Sequence, residues 1–524
     1  MKNCWIRRYT DEKGRKINYC DVAYLVRIDG RSVFLLKGRE GGPSNEFKSR
    51  MAKEQSDNQE DRAYQYDMPD KATVLATDGE DKNVLNFESN SVYQVSNSNE
   101  ARARLDRLIK RTDADFDNPI IAKNPFGTME NSFYFYFHTS FRCMVRYTIT
   151  VDDETISDHI RYVNNGQENN LAKEHEFLVE GLLPGKTNFI VMELVDSTGN
   201  TRETKNYQYT TAGSPSGIPQ KITVSDGYSK STLANGMYYV FPSGTPWIAA
   251  YDNKGILRDL IPTESFHGHR ITASDDCILY QISEDKVAKV SALGRVTGVV
   301  QMKGYGKICD FSYDGYDEVY WLGKKKKNEY LLATSFQTGN TRVVYRFKKD
   351  IQTGSLTVPQ SGSIGVVAKN PSGVIYLDAI TAAKPKISFV VGKKAAWKKV
   401  TAKKKINDNK KFTGWNTKES MLLSQENETI PAMLVQEENQ YLAVEWQADV
   451  AKKTVQKKAS ATAVEAKSGS LLQKCGNNYV IVCGTAGTYL EMGSDGKAIR
   501  RYNYGSRLDS VQKLTLSGMY FYGI

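Results

Sequence analysis

The sequence predicts an all-β protein in which a small β-sandwich precedes a six-bladed β-propeller. The first observation is a recurring hairpin signature: an apolar strand, a polar turn closed by glycine, and a second strand. The closing residues are Gly255, Gly294, Gly339 and Gly496, which lie 39, 45 and 157 residues apart. The second observation is the presence of 31 tyrosines and 11% aromatic residues, typical of β-rich proteins. Periods of about 40 to 50 residues built from short strands indicate a propeller.

Residues 1–112 show no clear domain pattern. Residues 17–36 predict a β-hairpin, and the polar segment 40–63 predicts a mobile linker. Ser98 is expected to cap a helix that ends near Arg111. A partner-binding role for this helix is an alternative to a structural one.

Residues 115–211 predict a β-sandwich. The segments Phe133–Phe137 and Met144–Val151 are rich in aromatic and β-branched residues, as strands are. Leu182–Met192 has the pattern of a turn that leads into a strand, and it resembles a corner of fibronectin type III-like modules. The Pro- and Gly-containing segment 212–219 is the expected linker to the propeller.

Residues 220–524 divide into six units, interpreted as blades, with seven as the alternative count. Their expected second strands start 41 to 58 residues apart, which fits four strands plus loops. These strands are Met237–Phe241, Ile278–Tyr280, Val319–Trp321, Val374–Tyr376, Met421–Leu423 and Tyr479–Val482. The final stretch Leu514–Tyr522 is expected to pair with the first blade, so that no long edge is exposed.

Composition excludes several classes of protein and site. No run of 18 apolar residues predicts a membrane span. The start, Met1–Arg8, lacks the apolar core of a signal peptide, so the sequence gives no localisation. The seven cysteines include no CxxC pair, which argues against a zinc site or a dense disulfide framework. No metal and no cofactor are predicted.

The net charge of +11 comes largely from lysine blocks. One block is Lys324–Lys327, and nine further lysines lie between Lys393 and Lys411. They are interpreted either as solvated loops or as a rim that binds a sulfated or phosphorylated polyanion. Lysines without interleaved arginines and aromatic residues are weak evidence for nucleic acid, so none is expected.

Several segments resemble the bacterial arylsulfate sulfotransferases. They are Asn124–Thr128, His175–Asn188, Gly487–Ile499 and Met519–Tyr522, together with the propeller pattern. The resemblance covers roughly residues 115–524. It implies a β-sandwich followed by a propeller, in a protein that moves a sulfuryl group between phenols without a nucleotide donor. In that family, whose members are usually exported, a histidine carries the group transiently.

Sulfuryl transfer by such a family member requires a neutral imidazole nucleophile and nearby cations that stabilise the developing charge. This chain has only five histidines, of which His138, His159 and His175 belong to the predicted sandwich. His267 and His269 are therefore the candidate catalytic residues of the propeller. Cation candidates that would bind an anion are Arg270, Lys393, Lys394, Lys398 and Lys399.

The resemblance also locates positions at which the family's catalytic residues are replaced. Cys309-Asp310 stands where the family has His-His-Asp, so that only the aspartate is kept. Where the family has His-x-Asn, this chain keeps only the asparagine, as Asn416. The expected arginine falls near Glu426, and the nucleophilic histidine falls near Lys467. Cys309 is expected to be a buried thiol rather than a nucleophile.

Two functions follow from these observations. The preferred one is a pseudoenzyme, a degenerate propeller that binds a ligand or partner such as a phenolic compound, an aryl sulfate or a polyanion. The alternative is an active aryl-sulfate sulfotransferase with a rearranged site that uses His267 or His269.

Overall fold

The computed structural model describes residues 68–87, 91–163, 170–264, 268, 270–274, 277–356, 463–466 and 470–514. Between residues 5 and 35, and between 364 and 464, it describes mainly the backbone of strands. The described residues form an all-β protein with one α-helix and one short 3-10 turn at Gly484–Ala486.

Two short hairpins lie near the start of the chain. Their strands are β1 (Trp5–Thr10), β2 (Lys16–Asp21), β3 (Tyr24–Ile28) and β4 (Arg31–Leu35). Strand β1 pairs with β2, and β3 pairs with β4, with Ile28 opposite Arg31. This second hairpin lies within the predicted segment 17–36. The predicted linker 40–63 is outside the described residues.

The helix begins earlier than the sequence predicts. After β5 (Thr73–Val74) and β6 (Leu85–Asn86), helix α1 spans Val95–Arg111, with Gln94 at its N-cap. Ser98 is therefore not the cap. Its hydroxyl is buried and accepts a hydrogen bond from the Val296 backbone N–H at 2.9 Å, which ties the helix to the propeller.

The next six strands belong to one connected sheet with β5 and β6. They are β7 (Ile120–Lys123), β8 (Phe133–Val151), β9 (His159–Tyr162), β10 (Ala172–Val179), β11 (Thr187–Val195) and β12 (Thr201–Thr210). The first half of β8 pairs with β7 and β10, and its second half pairs with β9 and β11. The two strands predicted within 133–151 are thus one strand, because no glycine or proline interrupts the extended chain between them.

The strands of the propeller region follow in chain order. The first group is β13 (Thr223–Asp226), β14 (Met237–Pro242), β15 (Trp247–Tyr251), β16 (Leu257–Pro262), β17 (Ile271–Ser274), β18 (Cys277–Gln281), β19 (Lys286–Ser291) and β20 (Val296–Gln301). The second group is β21 (Asp310–Tyr313), β22 (Glu318–Lys325), β23 (Asn328–Ser335), β24 (Thr341–Arg346), β25 (Gln352–Leu356), β26 (Ile364–Asn370), β27 (Gly373–Asp378) and β28 (Lys386–Gly392). The third group is β29 (Ser420–Leu422), β30 (Ala432–Glu437), β31 (Gln440–Asp449), β32 (Thr454–Lys457), β33 (Thr462–Val464), β34 (Leu471–Cys475), β35 (Asn478–Cys483), β36 (Thr488–Met492), β37 (Ala498–Asn503) and β38 (Leu508–Leu514).

Five antiparallel sheets form the blades of a propeller-like arrangement. The first blade has the strand order β16-β15-β14-β38, and the second, third and fourth blades are β17–β20, β21–β24 and β25–β28. The last blade has the order β13-β37-β36-β35-β34. A further sheet, β29-β30-β31-β32 with β33 paired to β31, lies between the fourth and last blades along the chain.

The glycine-closed hairpins join the third and fourth strands of four blades. Gly255, Gly294, Gly339 and Gly496 all have left-handed φ values, between 68° and 78°. Each N–H donates to a carbonyl oxygen three or four residues earlier. Since only glycine adopts this conformation without strain, the turns confirm the physical basis of the predicted repeat.

Two strand predictions are wrong, and the closing strand lies earlier than predicted. Val374–Tyr376 lies in the third strand of its blade, because Ile364–Asn370 is the second. Met421 and Leu422 lie in β29, the first strand of its sheet, not the second. The strand that pairs with the first blade is Leu508–Leu514, earlier than the predicted Leu514–Tyr522, whose remaining residues lie outside the described part of the chain.

The eight-stranded region packs on the outer strand of the first blade and on a turn of the second. The Glu130 N–H donates to the Leu260 carbonyl at 3.0 Å. The Thr128 hydroxyl donates to the Gly294 carbonyl at 2.6 Å. These contacts cover backbone at the edge of the propeller that would otherwise be unpaired.

Candidate functional site

The candidate site lies at the end of the propeller where the innermost strands begin. Strands β38, β17, β21, β25 and β34 are innermost; β38 contacts β17 and β34, and β21 contacts β25. Because successive blades repeat the same antiparallel order, the loops that lead into these strands lie at one end. Arg270 directly precedes β17, Cys309 precedes β21, and Asp310 is the first residue of β21. The structure therefore brings these predicted residues to the same end of the channel.

Other predicted site residues fall outside the described residues. They are His267, His269, Lys393, Lys394, Lys398, Lys399, Asn416, Glu426 and Lys467.

Arg270 and Asp310 form a buried ion pair between the second and third blades. The Arg270 Nη1 donates to both Asp310 carboxylate oxygens at 2.9 Å, and the side chains are 1% and 3% exposed. Asp310 also accepts hydrogen bonds from the backbone N–H groups of Leu356 (2.7 Å) and Phe311 (2.9 Å). Asp310 therefore compensates the charge of Arg270 in this structure, and the anion-binding role of Arg270 stays a prediction.

This pair belongs to a set of polar contacts that links neighbouring inner strands. The Gln512 side chain accepts from the Ile271 N–H at 2.6 Å. The Gln473 side chain bonds both the N–H and the carbonyl of Lys513. The sequence reasoning missed this set. In the sequence, Arg270 and Asp310 are separated by about one blade repeat. This separation could have indicated that they occupy corresponding positions in neighbouring blades.

Cys309 is exposed, so the expectation of a buried cysteine is wrong. Its Sγ faces the Lys307 carbonyl oxygen at 4.0 Å. Partial burial of the thiol and the nearby Glu329 raise the pKa of Cys309, although Lys369 and Lys324 act in the opposite direction. A raised pKa keeps the thiol protonated at neutral pH, which makes it a poor nucleophile.

The three histidines that the structure describes all lie before the propeller. His138 is 3.5 Å from Asp113 at the surface. His175 is buried, and burial lowers its pKa to about 4. His159 is buried at the contact with the first blade, where burial and two arginines lower its pKa well below the usual value. None of these three reaches the channel end.

A second buried charged cluster lies where the eight-stranded region meets the first blade. It consists of His159, Arg161, Glu180, Arg258 and Asp259, each less than 5% exposed. Burial raises the pKa of Glu180 well above its usual range and that of Asp259 to about 7. Burial, together with Arg258, lowers the pKa of Arg161 to about 10. The sequence reasoning missed this cluster, and its inaccessibility to solvent gives it a structural role.

A third buried ion pair joins the first and last blades. Lys513 Nζ lies 2.6 Å from Glu491 Oε2, and both side chains are fully buried. The same Nζ donates to Asn253 Oδ1 at 2.7 Å and lies 4.2 Å from the centre of the Tyr238 ring. The Tyr238 hydroxyl bonds Glu491 at 2.5 Å. This network holds the closing strand β38 against its neighbours on both sides.

Two surface cavities lie away from the channel end. One of about 470 Å³ is lined by residues of the last blade, including Tyr489, Leu490 and Arg501. Another of about 300 Å³ lies between the loop at Ser157 and Arg500. Among the residues that the structure describes, no group of His, Cys, Asp or Glu side chains is arranged to hold a metal ion. In the same part of the chain, no helix has the length and apolar character needed to cross a bilayer.

These features define a β-propeller protein with a further β-domain packed on its first blade. Residues 120–212 match the family model described as the Arylsulfotransferase Ig-like domain. The resemblance to the arylsulfotransferases is thus confirmed, through the segment that carries this domain. No curated protein matches the chain.

The chain is also similar to solved structures at low sequence identity. A protein of unknown function from Bacteroides caccae has a TM-score of 0.35 at 11% identity, covering 54% of this chain and 99% of its own. A protein from Lactobacillus plantarum has a TM-score of 0.34 at 10% identity, covering 71% and 99%. The Cps50 (Swd1) β-propeller domain from Myceliophteria thermophila has a TM-score of 0.33 at 8% identity, covering 54% and 90%.

Proposed function

We propose that this chain is an arylsulfotransferase-type propeller protein that binds an aryl anion or a phenol at the channel end but does not transfer a sulfuryl group. The observation that carries the proposal is the Arg270–Asp310 ion pair. Sulfuryl transfer needs a cation that faces the equatorial oxygens of the transferred group. Here the channel arginine is buried, and a carboxylate already neutralises it.

The neighbouring residue supports the same conclusion. Cys309 occupies a position where the resemblance places a histidine, and its raised pKa leaves it as a thiol at neutral pH. A neutral thiol attacks sulfur poorly, and a sulfuryl group on it would lack a compensating cation. Among the described residues at the channel end, Arg270 is already paired and Cys309 is a protonated thiol, so neither supplies what sulfuryl transfer requires.

The fold proposed for the propeller region is a ring of six blades. The sheet β29–β33 completes the ring, and this is supported by contacts of β29 with β25 on one side and with β34 on the other. The two ladders that share β8 form a β-sandwich, supported by one apolar cluster that includes Phe135, Ile149 and Ile190. We divide the chain at 1–112, 115–211 and 220–524.

The test is a transfer assay with 4-nitrophenyl sulfate as donor and phenol as acceptor, followed by release of 4-nitrophenol. We expect no turnover above the background rate, together with saturable binding of the aryl sulfate measured by calorimetry. Binding that is lost when the exposed Cys309 is replaced by a bulky side chain in Cys309→Tyr, and kept in Asp113→Asn, would place the ligand at the channel end. Absence of any binding would contradict the proposed function.

The alternative, an active enzyme that uses His267 or His269, is decided by the same assay. Turnover that His267→Ala or His269→Ala abolishes would replace the proposed function with sulfuryl transfer. The matched control is His138→Ala, because His138 lies at the surface before the propeller. This control must leave turnover unchanged.

A further inference from the structure

A band of basic residues crosses the channel end of the second, third and fourth blades. Its core is the turn Lys324–Lys327 between β22 and β23, and all four lysines are exposed. We define the basic band as Lys303, Lys307, Lys324, Lys325, Lys326, Lys327, Arg346, Lys348, Lys349 and Lys369. All of these residues are exposed.

Backbone contacts make the band continuous. The Lys324 N–H donates to the Tyr305 carbonyl at 2.7 Å, which brings the loop at 303–307 beside the lysine turn. On the other side, the Phe347 N–H donates to the Glu329 carbonyl at 2.9 Å, which brings residues 348 and 349 beside it. The charges of Lys324 and Lys369 lie close enough to Cys309 to lower the pKa of its thiol, so the band borders the channel end.

The charge is segregated along the third blade. The lysine turn lies at the channel end, whereas the turn at the opposite end carries Asp314, Asp317 and Glu318. The opposite turn is satisfied internally: the Asp314 carboxylate accepts three backbone N–H groups, and Glu318 pairs with Arg342. The described turns of the third blade are therefore basic at the channel end and acidic at the opposite end, while Lys307 of the band pairs with Glu284 and Lys324 lies 4.0 Å from Glu329.

The backbone of the lysine turn has one residue in an unusual conformation. Lys326 has φ +57°, in the left-handed region where glycine or asparagine is favoured in two-residue hairpin turns. A strained position at an exposed turn points to a function of the side chain.

We propose that the basic band binds a sulfated polysaccharide, laid across blades two to four beside the channel end. Lysine ammonium groups act as point charges, which suits a polymer with many sulfate groups and no fixed hydrogen-bonding pattern. The proposal goes beyond the function proposed above and does not depend on any ligand in the channel.

Two observations argue against single-stranded nucleic acid and a lipid surface as the partner. The aromatic rings in the band are already engaged: Lys325 lies 5.1 Å from the Tyr305 ring centre, Arg346 lies 6.0 Å from that of Tyr330, and the two rings pack edge to face. Bases of a single-stranded nucleic acid would need open rings for stacking. The large exposed apolar residues of the described chain are Val74, Tyr228, Tyr316 and Val343, none of which belongs to the band and could anchor it in a lipid surface.

The test measures binding of fluorescein-labelled dextran sulfate by anisotropy at several salt concentrations, with uncharged dextran as the reference polymer. If four lysines each contact one sulfate, counterion release makes the logarithm of the binding constant fall with the logarithm of the salt concentration with a slope of about −3. Binding is then roughly fiftyfold weaker at 200 mM than at 50 mM salt. The test variant combines Lys324→Gln, Lys325→Gln, Lys326→Asn and Lys327→Gln. Asparagine is used at 326 because it tolerates the left-handed turn.

The expected result is at least tenfold weaker binding and a shallower salt slope in the test variant. The matched control removes four exposed lysines outside the propeller, through Lys71→Gln, Lys82→Gln, Lys110→Gln and Lys173→Gln. It should change the affinity less than twofold, and both variants should keep the thermal unfolding midpoint of the parent. Equal loss in both variants, or unchanged binding in the test variant, would overturn the proposal. Tighter binding of oligo(dT), or of phosphatidylserine vesicles, than of dextran sulfate would overturn the assignment to a polysaccharide.

Discussion

Replacing Asp310 by asparagine should destabilise the propeller by about 5 kcal/mol. The substitution leaves the Arg270 guanidinium, which is 1% exposed, without a counter-ion. Loss of one partner of a buried pair costs about 3–5 kcal/mol. Asparagine also offers one acceptor oxygen where the carboxylate accepts from Arg270, Leu356 and Phe311, so one backbone donor is left unpaired at a cost of about 1 kcal/mol.

The assay is guanidinium unfolding followed by tryptophan fluorescence, since Trp321 is fully buried in the third blade. The double variant Arg270→Met, Asp310→Asn removes both charges and should recover at least about 2 kcal/mol relative to Asp310→Asn. Asp113→Asn, whose carboxylate is 98% exposed, should change the free energy of unfolding by less than about 0.5 kcal/mol. A loss below about 1 kcal/mol in Asp310→Asn, or additive effects in the double variant, would refute coupling between the two residues.

Four further predictions concern other parts of the molecule. Glu491→Gln leaves the fully buried Lys513 without a counter-ion and should cost about 3–5 kcal/mol in thermal unfolding; an unchanged midpoint would contradict the role of this pair in ring closure. Because burial raises the pKa of Asp259 to about 7, its contribution to stability is present below about pH 4 and is lost as the pH rises to about 7. Asp259→Asn should therefore lose less stability than the parent between pH 5 and pH 8 in parallel denaturant titrations, and an identical loss would show that this carboxyl does not titrate as inferred. Cys309 should react slowly with iodoacetamide at pH 7 and faster with each step toward pH 9, as read by mass spectrometry of its peptide; fast reaction at pH 7 would indicate a lowered pKa. Gly294→Ala should destabilise more than Gly339→Ala in the same unfolding assay, because both have left-handed φ but only the Cβ at 294 would meet a neighbour, at 2.6 Å; equal effects would mean that this close contact carries no energy.

The sequence was most informative where structure depends on a few neighbouring residues. The left-handed conformation at Gly255 and Gly496 is a local requirement, so the hairpins of their blades were predicted correctly. Around Val374 and Met421 no such glycine marks the turn between third and fourth strands, and there the strand order was wrong. Those units could be recognised as β-rich but not assigned strand by strand.

The candidate site was predicted only in part. The positions of Arg270, Cys309 and Asp310 at one end of the channel followed from the repeat. Their interaction did not, because two residues one blade apart come together only through the curvature of the ring. The cluster around His159 and Arg258 was equally hidden, since its members come from the eight-stranded sheet and from the first blade, whose contact leaves no periodic pattern.

Strands from the start and the end of the described propeller region each join a blade from the opposite end, and this determines when those blades can be completed. Strand β13 comes before the first blade but adds to the last one, while β38 comes after the last blade and forms the innermost strand of the first. During synthesis on the ribosome, β13 and the edge of β14 that faces β38 must therefore wait until the strands of the last blade have been made, whereas the other edge of β14 pairs with β15. Until then their backbone donors and acceptors remain open to pairing with other chains. The early presence of the preceding domain, which covers the outer strand of the first blade, leaves the inner strand position as the edge that the cell must protect.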